Sequence, residues 1–208
     1  MIEQKSEEWF EQRLGKVTAS KIADVMAKTK SGYSTSRANY MAQLVAERLT
    51  GQKQESFNSP AMQWGTDCEP FARQEYELLT GFVVTESGFV DHPTIAMSGA
   101  SPDGLVGDDG LIEIKCGITA THIRWLRTGE VPEEHKPQMA FQLLCTGRKW
   151  CDFVSYDPRI GEELSLFVKR YTPEQSYLDE IESEVKKFLS ELDDVMAELT
   201  EIKLKRAA

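Results

Sequence analysis

The sequence predicts an α/β protein in which helices come first, a central sheet follows and one long helix closes the chain. Three observations carry this. Before Gly81, apolar residues recur mostly at helical spacing. Around Glu113 the period changes to two: Leu111, Glu113 and Lys115 fall on one face of a strand, and Ile112 and Ile114 on the other. From Leu178 to Ile202 apolar residues alternate steps of three and four, the seam of a long amphipathic helix.

Taken in order, Ser6 caps a first helix whose early turn carries Glu7 and Glu8, where acids suit the dipole. Trp9, Phe10 and Leu14 give it an apolar side, and Gly15 ends it. Thr18 is expected to cap a second helix with Ile22, Val25 and Met26 inward. A polar loop at Lys28 to Gly32 precedes a third helix, from about Ser36 to Leu49, with Gly51 just past its end. After a loop at Ser56 to Pro60, a fourth helix runs from Ala61 to Leu79. Pro70 inside it predicts a kink or a fresh helix start.

Phe82-Val83-Val84 opens the strand region, which continues through Phe89-Val90 and a hairpin to Cys116. Val106-Gly107-Asp108-Asp109-Gly110 is the turn of that hairpin. Helical segments follow at about Thr121 to Arg127 and Glu133 to Cys145, then strands at Trp150 to Ser155 and Leu164 to Lys169. The final helix starts near Pro173. No internal repeat or low-complexity linker divides the chain. One domain is expected over 1–208, its core at about 6–171 and the C-terminal amphipathic helix at about 173–205.

Composition sets limits. With 208 residues, 40% hydrophobic and 28% charged, the chain is long enough for a sizeable core and ordinary for a globular protein. No apolar run approaches the ~18 residues that span a membrane, and no signal peptide opens the chain, so a cytoplasmic protein is expected. Cys68, Cys116, Cys145 and Cys151 lack a C-x-x-C pair and read as free thiols. His92, His122 and His135 show no ligand spacing and are expected at the surface. The net charge of −10 argues against a general nucleic-acid coat protein, but it is uneven: Glu174 to Lys205 carries ten acids against four lysines. A locally basic groove remains compatible with the total, because only charge within a Debye length of ~8–10 Å acts on a bound phosphate.

The chemistry gathers on the hairpin. Asp103, in Ser101-Pro102-Asp103-Gly104-Leu105, lies on the antiparallel neighbour of the Glu113 strand or its approach. Asp103 and Glu113 can meet across the pair, with Lys115 ~7 Å further along. Two carboxylates at close range repel unless a cation lies between them, and hard oxygen ligands suit Mg²⁺ or Mn²⁺. A neighbouring lysine could steady the charge that builds on a phosphate under attack. Metal-assisted phosphodiester hydrolysis is the reaction this suggests; the plain alternative is a hairpin with an acid–lysine surface face.

Other residues carry weaker signals. Glu69 and Arg73 share one helix, where a solvated glutamate is the ordinary reading. Gln142 lies one turn after Gln138, and a groove-facing amide there could orient a water. Arg13, Thr18 and Ser20 bracket a helix start, which would suit a phosphate; a capped helix beside a surface arginine is the plain alternative.

In order, Arg13-Leu14-Gly15, Thr18-Ala19-Ser20, Trp64-Gly65 with Glu69, Ser101-Pro102-Asp103-Gly104-Leu105, Glu113-Ile114-Lys115-Cys116, Gln142 and Tyr156-Asp157-Pro158-Arg159 resemble lambda exonuclease and the YqaJ-type viral recombinases of the PD-(D/E)XK nuclease superfamily. The match runs from about Trp9 to Arg159. The resemblance implies a restriction-endonuclease-like core, with a central mixed sheet flanked by helices. It implies Mg²⁺-dependent 5′→3′ hydrolysis of one strand of linear double-stranded DNA (Mn²⁺ being a possible substitute), leaving a 3′ single strand for recombination by annealing. A toroidal homotrimer threading the DNA and a single-strand annealing partner belong to the same expectation.

Carried over by position, the resemblance implies that Asp103, Glu113 and the Ile114 carbonyl would hold the metal. Lys115, positioned with the help of Glu69, activates the water, and Gln142 lines the site. Arg13, Ser20 and Ser101 match the 5′-phosphate pocket, and Met62 the apolar wedge that splits end base pairs. The family's second phosphate-binding arginine is replaced here by Thr121, with His122 and Arg124 as nearby candidates for its role. An endonuclease or Holliday-junction resolvase sharing the metal site is the rival enzyme. A catalytically inactive DNA-binding member of the fold is the rival from another class.

Overall fold

A computed structural model describes residues 2–54 and 59–207. Helix α1 (Glu7–Arg13) begins at Ser6, whose hydroxyl accepts from the Trp9 N–H. The expected helix start at Thr18 is corrected. Val17–Thr18 forms strand β1, one turn of 3₁₀ helix spans Ala19–Lys21, and α2 (Ile22–Met26) begins only then. Tertiary pairing decides this, because β1 runs parallel to Ser98–Ala100 and holds the backbone extended. The Thr18 side chain caps nothing; its N–H donates to the Tyr40 hydroxyl instead.

The polar stretch from Lys28 contains a small hairpin, β2 (Lys28–Thr29) with β3 (Gly32–Tyr33). Helix α3 (Thr35–Thr50) has Ser34 as cap and ends on Gly51 in the left-handed region. Of the loop expected at 56–60, residues 56–58 lie outside the described residues. Helix α4 (Pro60–Thr80) runs through Pro70 as one element and ends on Gly81. The remaining strands are β4 (Val84–Thr85), β5 (Val90–Asp91), β6 (Ser98–Ala100), β7 (Gly104–Val106), β8 (Gly110–Lys115), β9 (Trp150–Tyr156) and β10 (Leu166–Tyr171). Helices α5 (Thr119–Thr128) and α6 (Lys136–Thr146) lie between β8 and β9, and α7 (Gln175–Ala207) closes the chain. Among the described residues, no helix is long and apolar enough to cross a membrane.

The larger sheet is mixed, in the order β10-β9-β8-β7-β4, with β8 and β9 parallel and the other pairs antiparallel. A parallel pair is stable when both faces are covered, and both are. Ile112 and Ile114 pack with Cys68, Ala72 and Tyr76 of α4 on one face. Leu111 packs with Trp125 of α5, Met139 of α6 and Phe153 on the other. Arg148 donates to the carbonyls of Gly107 and Gly110, at 2.7 and 2.8 Å, and so clamps the β7–β8 turn. A second, three-stranded sheet has the order β1-β6-β5. Since β6 belongs to one sheet and β7 to the other, Ser101-Pro102-Asp103 is the crossing between them.

Helix α7 lies on the protein's own helices. Ile181, Val185, Phe188, Leu189 and Leu192 are buried against residues of α2, α3 and α6. The seam is thus satisfied within the chain as far as Leu192; Ile202 and Leu204 stay exposed. Ion pairs pin the buried half, Lys28 to Glu184, Arg37 to Glu191 at 2.5 Å and Arg48 to Asp193, and the Tyr33 hydroxyl donates to Glu184 as well.

Candidate active site

Gly104 pairs with Ile112, so Asp103 enters the hairpin opposite Glu113. Its Oδ2 accepts from the Ile114 N–H at 2.7 Å, which fixes the carboxylate beside the strand. Glu113 is fully buried and held from three sides. The amides of Gln138 and Gln142, one turn apart on α6, donate to Oε1 and Oε2, each at 2.6 Å. Lys115 Nζ lies 2.5 Å from Oε1. The side-chain amide oxygen of Gln142, Oε1, is buried and has no partner among the described residues.

Electrostatics follow from this packing. Burial, then the charge of Glu113, pushes the Asp103 pKa well above the ordinary carboxylate value, against the pull of Lys115. Burial works against the Lys115 ammonium, but Glu113 and Asp103 outweigh it and raise its pKa. An ammonium beside these carboxylates is suited to orienting a water and holding negative charge. Glu69 does not hydrogen-bond Lys115: it meets Lys5 at 3.3 Å and Arg73 at 3.7 Å and reaches Lys115 only through its field. Arg73 also donates to the Asp103 carbonyl at 3.3 Å.

These residues line a cleft of about 710 Å³ that also receives Met62, Trp125 and His135. Met62, in the first turn of α4, is 56% exposed there. Arg13 lies in an adjoining cleft with Ser20, its guanidinium stacked 4.0 Å over Trp9. Arg13 and Trp9 both donate to Ser101 Oγ, at 3.2 and 2.9 Å. Burial lowers the Arg13 pKa. Ser20 is exposed, 3.4 Å from Thr18 Oγ1. The structure thus brings Arg13 to Ser101 and places Ser20 across the same cleft.

The surface assignment of the histidines is corrected. His92 is buried and its Nδ1 accepts from the N–H groups of Thr94 and Ile95. His122 is fully buried between Ser155 Oγ and the Leu164 carbonyl, so it cannot stand in for the missing arginine. His135 is half-buried, stacked on Phe153; burial, then Lys115, lowers its pKa to about 4. Each ring finds a niche that no spacing in the sequence announces. Gln138 shares the target of Gln142, a role that their i, i+4 spacing on one helix signals. Lys5 has no sequence signal.

Among the described residues, no three of His, Cys, Asp or Glu gather into a metal cage. Asp103, Glu113 and Ile114 nonetheless line one cleft, where two carboxylates and a backbone carbonyl are hard-oxygen donors of the kind Mg²⁺ takes, and a dication there would relieve the repulsion from Glu113 that adds to burial in raising the Asp103 pKa.

The model of the YqaJ-like viral recombinase domain matches residues 8–149. The chain is 51% identical to an alkaline exonuclease of Laribacter hongkongensis, with a TM-score of 0.90 over 98% of this chain and 100% of that one. The structure of that exonuclease in complex with dAMP matches equally closely, at 52% identity and a TM-score of 0.90 over 98% of this chain and 100% of that one. A phage-related exonuclease of Haemophilus somnus 129PT shares the fold alone, at 13% identity and a TM-score of 0.69 over 88% of this chain and 96% of that one. No curated protein sequence matches the chain.

Proposed function

Because this chain belongs to the YqaJ-like viral recombinase family, we propose that it is a Mg²⁺-dependent 5′→3′ exonuclease acting on the ends of double-stranded DNA. A nuclease role is the part of this that the family and the alkaline exonuclease support directly. The observation that carries the rest is the Asp103–Glu113–Lys115 arrangement, with Glu113 locked by two amides.

Mg²⁺ held by Asp103, Glu113 and the Ile114 carbonyl would supply Lewis acidity at a phosphodiester. The chain's own groups do the rest. Gln138 and Gln142 keep both oxygens of Glu113 in place, so no reorganisation is needed at the moment of reaction. Lys115 holds an ammonium beside the same carboxylate, where it can steady an attacking water and the charge on phosphate. Glu69 adds negative field while clamped by Lys5 and Arg73. The Arg13 cleft, with Ser20 and Ser101, takes the terminal 5′-phosphate, and the exposed Met62 wedges the end pair. Of the two candidates for the missing arginine only Arg124 is exposed, and it pairs with Glu134.

The assembly proposed is a homotrimeric ring, with a single-strand annealing protein taking up the 3′ strand. Exposed Leu78, Leu79 and Val83, beside the edge strand β4, support a contact between copies.

The test is linear duplex DNA labelled at either end, bearing 5′-phosphate or 5′-hydroxyl, with Mg²⁺ or EDTA and a closed circle as control. Metal-dependent loss from the 5′ end, faster with phosphate, is expected. Equal rates discard the Arg13 pocket, cutting of the circle makes the enzyme an endonuclease, and no cutting leaves a binding protein.

A further inference from the structure

The cleft over Asp103 and Glu113 and the smaller one beside Arg13 and Ser20 share two lining residues, Phe10 and Lys53. Lys53 Nζ lies 3.6 Å from the centroid of the Phe10 ring. Phe10 sits on a fixed mount: its ring meets Trp9 edge-on, 4.9 Å between centroids, and Trp9 is anchored to Ser101 Oγ just before Pro102-Asp103. The smaller cleft carries Arg13, Lys16, Lys21 and Lys53 against one acid, Glu47. That acid is already engaged by the Gly15 N–H and the Gln43 amide, and two of the cations are paired as well, Lys16 with Asp91 at 2.6 Å and Lys21 with Asp24 at 3.0 Å. The saddle between the clefts is therefore an aromatic ring under an ammonium, beside the cleft that holds the Arg13 guanidinium.

We propose that Phe10 and Lys53 form a nucleoside subsite, which takes the sugar and base of the nucleotide lying between the 5′-phosphate pocket and the point of cleavage. The inference rests on the reading of Arg13 as phosphate pocket and of Asp103 and Glu113 as hydrolytic centre. A strand with one phosphate in each cleft has to cross the saddle. Every base has a π face, so an aromatic platform accepts any terminal base, as an enzyme degrading arbitrary sequence requires. A lysine on an open ring face is held weakly, and its flexible stem lets a base displace it towards a phosphate oxygen, where the contact is stronger.

The full-length protein is assayed on 5′-phosphorylated linear duplex whose terminal nucleotide carries a base or is abasic. Wild type is expected to prefer the base by about tenfold in KM. Phe10→Leu should remove that preference, and Phe10→Trp restore it. Lys53→Gln should raise KM on both substrates with a smaller change in kcat, and Lys53→Arg recover it. Calorimetry with dAMP gives a readout apart from cleavage: Phe10→Leu should weaken binding about tenfold. If Phe10→Leu keeps the full base preference and dAMP affinity, the subsite is overturned while the nuclease stands. Wild-type protein that binds dAMP but leaves every duplex intact overturns the nuclease reading, and with it the placing of this subsite between pocket and cleavage point.

Discussion

The carboxylate of Asp103 carries the sharpest conflict at the residue scale. Burial and Glu113 raise its pKa, so the folded chain holds that proton more tightly than the unfolded one. Stability then falls as pH rises from the ordinary aspartate value through the raised one. Asp103→Asn removes the charge and keeps an oxygen to accept from the Ile114 N–H. In EDTA at pH 8 the variant should melt about 2–4 °C above wild type per ~1 kcal/mol relieved, with the gap closing towards pH 4. Cleavage should fall by about 100-fold or more. Mg²⁺ should raise the wild-type melting temperature and leave the variant unmoved; a variant that melts lower at pH 8 contradicts this account. Gln142→Ala leaves one oxygen of a buried carboxylate without its donor, at a cost of about 1–3 kcal/mol. It should lower kcat about tenfold with little change in KM, as steady-state kinetics would read.

At the scale of elements, the hairpin brings the acids together and α6 holds Glu113, while α7 buttresses from a distance. Arg37 is buried, stacked on Tyr33, donates to the Val25 carbonyl and pairs with the half-exposed Glu191 of α7. Arg37→Ala should cost about 2 kcal/mol, less than a fully buried pair because Glu191 is partly solvated. Urea denaturation should show this while kcat stays within about twofold of wild type, since no atom of the cleft is touched. A loss below ~0.5 kcal/mol would show that solvent already screens the pair.

Charge is partitioned at the scale of the whole molecule: acids are concentrated on α7, and the clefts bring cations beside Asp103 and Glu113. DNA binding by Arg13, Lys53 and their neighbours should weaken steeply with salt, with a log–log slope of about −0.9 per phosphate neutralised. The proposed ring is checked by light scattering, where three chains are expected at micromolar concentration. Paired Leu78→Glu and Val83→Glu should reduce the mass to one chain, because charges on a buried apolar contact cannot be accommodated. A monomeric wild type with full processivity sinks the ring.

Much was legible in the residues themselves. The alternation from Leu111 to Lys115, the turn at Val106 to Gly110 and the seam from Leu178 are local patterns, and period determines which face a side chain takes. That was enough to place Asp103 opposite Glu113, and the ordered motifs were enough to point to the family. Wherever a residue's partner is distant in sequence, only the tertiary structure decided. Thr18 is extended because Ser98 and Gly99 pair with that strand, although its local signal favours a helix cap. His92 and His122 are buried because Glu182, Ser155 and Leu164 complete their niches. Glu69 faces Lys5 and Arg73 rather than Lys115, and the Arg13 and Glu113 clefts meet at Phe10 and Lys53. Local periodicity records the direction in which a side chain points, whereas what it meets there depends on chain segments brought in by folding.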